Sequence, residues 1–387
     1  MKFRRITTSG DYLPEIDGLR FVAILAVILY HIPGNWLAYA ASRYPAGVTL
    51  DGVLGDFYHH GFQGVLLFFT ISGFILGLPF ARQYLVAARP VSLARFYRRR
   101  VTRLEPPYLI SMLLLFAMGI VLGRFSFGHD FPHLLASLFY VHNVVYGTES
   151  TINVAAWSLE VEVLFYLLAP LFCWLFLRSP RRWHVLLPGA IVLLGMLQYV
   201  APMKLLTLAK FAHYFLAGIL AAAVFAANPA WVKKRSYWGD ATLVILVLTF
   251  GLVSRFAPRA ADLVFPWCFA AALLFGMKSV VGSAMLRAPL IATTGGMCYT
   301  IYLYHGRLIT LPIVFVLSKV PLSGHYPTDI LILTAILVPL TLLISAMLFV
   351  VLERPFMDPA WVEKARAGIR LRLERLGWLR STATRAQ

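Results

Sequence analysis

Asp17–His31, DGLRFVAILAVILYH, is the stretch on which the fold turns. It has the apolar character of a membrane helix, yet Arg20 stands near one end and His31 near the other. Ionisable side chains are costly inside a bilayer, and where they persist they face a bundle interior or a wet cavity. At about 100° and 1.5 Å per residue, the two lie on one helix face, about 16 Å apart along the axis. Simpler readings exist for each. Arg20 can pair with Asp17, three residues earlier, and snorkel to the interface. His31 can hydrogen-bond a neighbouring helix.

The rest of the chain is of the same kind. Of its 387 residues 60% are hydrophobic and only 13% charged, with a mean hydropathy of +0.75. Soluble domains are closer to half apolar and a quarter charged. Ten segments approach the roughly 20 residues that a helix needs to cross the hydrocarbon core. They are 16–34, 61–80, 105–123, 157–177, 183–201, 205–226, 238–256, 262–281, 289–318 and 328–352. The ninth is over-long and is expected to be tilted or broken near Gly295-Gly296, and Phe131–Tyr146 is short enough to be interfacial or re-entrant. The expected fold is an all-α polytopic membrane protein of about ten transmembrane helices.

The loops set the expected orientation. With the N-terminus inside, about 26 of the 35 Lys and Arg fall in inside segments and about six in outside loops. Both termini are therefore expected in the cytoplasm. The same pattern accounts for the net charge of +18 through topology and anionic membrane lipids, with no nucleic acid as partner. Residues 1–356 read as one membrane domain and 357–387 as a basic cytoplasmic tail. In the tail Trp361, Ile369, Leu373, Leu376 and Trp378 suggest an amphipathic helix lying on the membrane. The basic start MKFRR imitates a signal peptide, but Asp11, Glu15 and Asp17 precede the apolar run, so an uncleaved first span is expected. Cys173, Cys268 and Cys298 lie in apolar runs without metal-ligand spacing; they read as buried packing residues, and no metal site is expected.

Other polar residues fall at matching depths. WSLEVEVLFY opens the fourth span and puts Glu160 and Glu162 about one turn from its outer end. The ninth span carries His305 in CYTIYLYHGRL, also in its outer half. A carboxylate and two imidazoles at one level suit proton transfer, since a carboxylate can orient an imidazole and raise its basicity. On the inner side, LARFYRRRVTRLEPP gathers Arg95, Arg98, Arg99, Arg100 and Arg103 ahead of the third span. That is more charge than topology needs. Arginine forks pair bidentately with phosphate, so a polyphosphate donor or anionic headgroups would suit it.

Six blocks in order resemble the membrane acyltransferase-3 family of bacterial O-acyltransferases. LPEIDGLRFVAILAVILYH is similar to its opening motif, with Arg20, ten residues, then His31. GFQGVLLFFTISGF, which contains Ser72, resembles its second-span signature, and FYRRRVTRLEPPY its arginine loop with Arg100 and Arg103 in the Arg-x-x-Arg positions. WSLEVEVLFY matches a Trp-Ser-Leu-x-x-Glu block and so selects Glu162 over Glu160; CYTIYLYH and ERPF resemble the late and closing blocks. Two positions depart: Leu66 stands where the family often has an acidic residue, and Cys298 where the late block has serine. The extracytoplasmic esterase-like domain of some members is not expected here.

The resemblance implies transfer of an acyl group, most often acetyl, from cytosolic acyl-CoA to a hydroxyl of an exported or lipid-linked glycan, in the bacterial cytoplasmic (inner) membrane. No cofactor is expected beyond acyl-CoA as co-substrate. His31 is then the expected general base, with Glu162 orienting or charge-balancing it, or His31 carries the acyl group itself. Arg20, Arg98, Arg100 and Arg103 would hold the donor phosphates. Asp17, Ser72, Trp157, Glu160, Tyr302 and His305 are candidates for the pocket. Two alternatives stand beside this one: a glycan or lipid flippase without chemistry, for which intramembrane His, Glu and Arg are equally suited, and an acyltransferase acting on a small secondary metabolite.

Overall fold

The computed structural model describes residues 12–358, 360–364 and 367–368. Within them the chain forms the helices α1 (Pro14–Ala40), α2 (Gly52–His59), α3 (Gln63–Leu85), α4 (Leu93–Val121), α5 (Phe127–Leu138), α6 (His142–Tyr146), α7 (Ala156–Leu177) and α8 (Leu187–Val200). It continues through α9 (Leu208–Ala227), α10 (Pro229–Lys233), α11 (Tyr237–Phe256), α12 (Ala261–Lys278), α13 (Val281–Leu286), α14 (Pro289–Gly296), α15 (Cys298–Phe315) and α16 (Tyr326–Leu348). No strand occurs among the described residues. Among the described residues ten helical segments are long and apolar enough to cross a membrane, one for each expected span. The fold is the expected all-α polytopic one.

Three local outcomes bear on function. The over-long ninth segment is broken as expected: α14 ends at Gly296 and α15 begins at Cys298. The Phe131–Tyr146 region forms α5 and α6, of 12 and 5 residues, both too short to span. The third span differs from expectation. Instead of a loop leading to a helix at 105, α4 starts at Leu93, behind the Ser92 N-cap whose hydroxyl accepts from the Arg95 amide. The arginine cluster is therefore helical, with consequences for which guanidinium points where. The proposed amphipathic helix of 357–387 lies largely outside the described residues; at its start, Trp361 donates its indole N–H to the Thr102 carbonyl of α4 at 2.9 Å.

The helices divide into a buried core and a lipid-like rim. α3 and α9 are the most enclosed spans, with the fully buried run Ala221–Ala223 on α9 allowing close approach. Small residues are how helices pack where no water is available to drive association. α11 lies at the opposite extreme, with Val244, Val247, Leu248 and Leu252 all exposed. α1 runs against α3, α14 and α15. Two glycines fix this arrangement: a Cβ on Gly64 would meet the Ala23 carbonyl oxygen at 2.3 Å, and one on Gly295 the Asp17 oxygen at 1.7 Å. The backbones of α3 and α14 thus touch α1, and side chains of α1, α3, α7 and α15 line two cavities.

Candidate active site

The first cavity, of about 530 Å³, opens among exposed Arg89, Arg95 and Arg99 and runs inward past Arg100, Arg103 and Arg20 to Ser72, Glu162 and Tyr302. Its basic wall follows from the helicity of α4. Phe96 is buried in the fold, and Arg99, Arg100 and Arg103, three, four and seven positions later, share its face and line the cavity. Arg98, two positions after Phe96, is turned about 200° away; it is exposed and outside the cavity wall. Arg95 and Arg99, which the sequence placed in the basic cluster but not among the expected donor-binding residues, line the wall because α4 begins at Leu93, and Arg89 joins them from the segment before it.

Arg100 is held tightly. Its guanidinium sits 3.5 Å from the centroid of the Phe96 ring, and Nη1 donates to the Phe96 carbonyl at 2.7 Å. The Nε atoms of Arg100 and Arg103 are buried without a hydrogen-bond partner. An unmet buried donor on a cation is costly, and a charged acceptor offsets that cost. At the inner end Arg20 pairs with Asp17 at 2.9 Å, so Asp17 anchors the arginine from behind and does not itself line the cavity.

The second cavity, of about 690 Å³, opens among exposed Thr49, His59 and Glu149 and is lined by His31, Trp157, Tyr302 and His305. The His31 and His305 rings lie with centroids 5.0 Å apart. His305 Nδ1 is 2.7 Å from the Tyr302 carbonyl oxygen. Since a carbonyl only accepts, Nδ1 is the nitrogen that donates here, which leaves Nε2 as the one free to face the cavity. Trp157 stacks on Phe62 with centroids 5.9 Å apart. Glu149, in the loop before α7, adds a carboxyl group at the mouth whose pKa is pushed up by partial desolvation; as one acid in a polar loop it carried no sequence signal.

The residues expected together are thus divided between two chambers. Arg20 and His31 do share one face of α1, each in a different cavity. Glu162 does not join His31. On α7, Ser158, Glu162 and Tyr166 recur every four residues and so face the arginine cavity, where Glu162 accepts from the Ser72 hydroxyl, interacts with Tyr166 and feels the charge of Arg20. Glu160 is about 200° from Glu162 on the same helix. It is buried outside both cavities, accepting the Asn143 backbone N–H of α6 at 2.9 Å. Among the described residues no carboxylate pairs with His31. Cys298, read from sequence as packing, is half-buried and lines the arginine cavity, whereas Cys173 and Cys268 are buried.

An all-α membrane fold with a basic chamber on one side and an imidazole pair on the other defines the class. The chain belongs to the acyltransferase-3 family, whose model, described as an acyltransferase domain, matches residues 13–351. It is similar to the O-acetyltransferase OatA of Staphylococcus aureus, 29% identical over 172 residues that make up 42% of this chain and 25% of that protein. It also resembles the peptidoglycan O-acetyltransferase OatA of Listeria monocytogenes, 29% identical over 203 residues, 50% of this chain and 29% of that one. A putative O-acetyltransferase of S. aureus is 23% identical over 383 residues, 89% of this chain and 57% of its own. The chain therefore spans only part of the length of these relatives. No solved structure matches it.

Proposed function

We propose that the protein is a membrane O-acyltransferase that moves an acyl group, acetyl in the first instance, from acyl-CoA to a hydroxyl of an extracytoplasmic or lipid-linked glycan. The observation that carries this reading is the pair of chambers, one basic and one bearing imidazoles, that meet across the interior of the bundle. Family membership supplies the reaction class, and the names of the relatives support acetyl as the group and a glycan as the acceptor. In this reading the arginine chamber faces the cytoplasm of a bacterial inner membrane, in line with the positive-inside bias.

The donor's phosphates would engage Arg100 and Arg103, whose unpartnered Nε atoms await an acceptor, together with Arg20 and the rim arginines. The pantetheine arm then has about 16 Å to cover from Arg20 to His31 along α1. His31 takes the proton of the acceptor hydroxyl. The oxygen bonds to the thioester carbonyl carbon, the carbon–sulfur bond breaks, and the leaving thiolate receives that proton, so an ester and free CoA result. His305 supplies the second imidazole of the pair, held in one tautomer by the Tyr302 carbonyl. Glu162 acts on the donor side: it holds Ser72 and faces Arg20, and so positions the donor's approach rather than His31.

The test is reconstitution in liposomes with labelled acetyl-CoA and a glycan acceptor. Acceptor-dependent release of free CoA, with the label on the glycan, is expected. Glycan movement without CoA release would establish the flippase instead, and product analysis with a small glycoside would reveal a metabolite-modifying enzyme.

A further inference from the structure

A third cavity, of about 370 Å³, lies apart from both chambers, where the start of α1 meets the ends of α9 and α12. Among the described residues its wall carries three cations, Lys233, Arg235 and Arg287, against a single carboxylate, Glu15. Leu13, Phe225 and Met277 supply its apolar part. We infer that this cavity binds the headgroup of an anionic phospholipid, with the phosphodiester held by Lys233, Arg235 and Arg287. The inference needs the membrane fold but not the transferase reading.

The charges in the wall do not cancel. Glu15 is buried and accepts from the Ser283 hydroxyl at 2.9 Å, while Arg235 Nη2 and Arg287 Nε lie 3.5 and 3.7 Å from the same oxygen. One carboxylate shared in this way orients two guanidiniums but leaves the cavity with an excess of positive charge. Arg235 and Arg287 remain 40% and 45% exposed, open to a further acceptor. Lys233 is exposed and has no ion-pair partner among the described residues. The surroundings put the cavity at headgroup depth. Lys278, the last residue of α12, sits 4.3 Å from the centroid of the Trp231 ring, and its carbonyl accepts the Ser236 N–H that precedes α11. Trp231, Tyr237 and Trp238 beside it are exposed, and exposed Trp and Tyr mark the membrane interface. Arg287 itself lies in the chain between exposed Met285 and Leu290, apolar surface that acyl chains can cover and a free phosphate would leave bare. Basic pockets between membrane helices are a recurring way to hold anionic headgroups.

The test titrates phosphatidylglycerol onto the detergent-purified full chain and counts bound lipid by native mass spectrometry, with phosphatidylcholine and inorganic phosphate as separate arms. Preferential binding of phosphatidylglycerol over phosphatidylcholine is expected. Lys233→Gln and Arg287→Gln should each weaken it by about fivefold, the scale of one basic residue at an anionic leaflet. Lys233, exposed and unpaired, serves even if the Arg287 variant does not fold. Arg181→Gln, an exposed arginine of the α7–α8 connection outside the cavity, should change binding by less than about twofold. Glu15→Gln keeps an acceptor for Ser283 and removes the competing charge, so it should tighten phosphatidylglycerol by about fivefold; unchanged affinity there would make the cluster a structural clip and overturn the site. Equal losses at Lys233 and Arg181 would mean diffuse attraction and overturn it as well. Displacement of phosphatidylglycerol by an equal concentration of inorganic phosphate would make the cavity a free-anion site and overturn the lipid assignment.

Discussion

The two chambers adjoin at Val65 and Tyr302 but are built on opposite principles. The arginine chamber is a charged pocket whose basic groups come chiefly from successive turns of one helix, α4, where Arg100 is fixed by stacking on Phe96 and by the Phe96 carbonyl. The histidine chamber takes its reactive groups one at a time from helices far apart in the chain, His31 from α1, Trp157 from α7 and His305 from α15. The first is suited to grip a polyanion and the second to move one proton. Grip tolerates sequence-local construction because charge acts at a distance; proton transfer requires hydrogen-bond geometry that only converging helices provide.

The sharpest break of the comparison is at His31. His31→Ala should reduce acyl transfer by about 100-fold to 10,000-fold with donor KM little changed and detergent stability intact. Activity within a few-fold of wild type would remove His31 from the chemistry. Next come the arginines. Arg100→Ala and Arg103→Ala should each raise donor KM by roughly tenfold to a hundredfold, the worth of a hydrogen bond to a charged group, and leave acceptor KM alone. Arg98→Ala, outside the chamber, should stay within about twofold, the scale of an exposed charge. Equal effects at positions 98 and 100 would refute the helical register of α4.

Smaller effects separate the chambers further. Cys298 lines the arginine chamber, so its alkylation by N-ethylmaleimide, followed by mass spectrometry, should slow several-fold when CoA is present. An unchanged rate would place the donor elsewhere. The two glutamates of α7 should also part. Glu160→Gln should lower stability by about 1–3 kcal/mol, the cost of a weakened buried hydrogen bond, with donor KM and kcat preserved in the folded fraction. Glu162→Gln should instead change donor KM or kcat at near-wild-type stability. If Glu160→Gln abolished turnover in folded protein, its assignment to the α6 contact would be wrong.

The sequence determined a good deal by itself. Composition and ten apolar runs determine the all-α polytopic class, because a bilayer permits few alternatives to helices for an apolar chain whose backbone must satisfy itself. Helical periodicity put Arg20 and His31 on one face, and paired glycines foretold the break before α15. The selection of Glu162 over Glu160 came from the resemblance, and the angle between them on α7 explains why one meets a cavity and the other a backbone amide. Tertiary structure alone decided which residues meet. Matching depth along the bundle normal suggested Glu162 beside His31, but depth carries no information about azimuth, and α7 turns Glu162 toward Ser72 and Arg20 instead. The start of α4 likewise chose among the arginines, because moving a helix start by several residues redirects every side chain after it. The wall shared by the chambers belongs to no segment: Val65 of α3 and Tyr302 of α15, more than two hundred residues apart in the chain, line both.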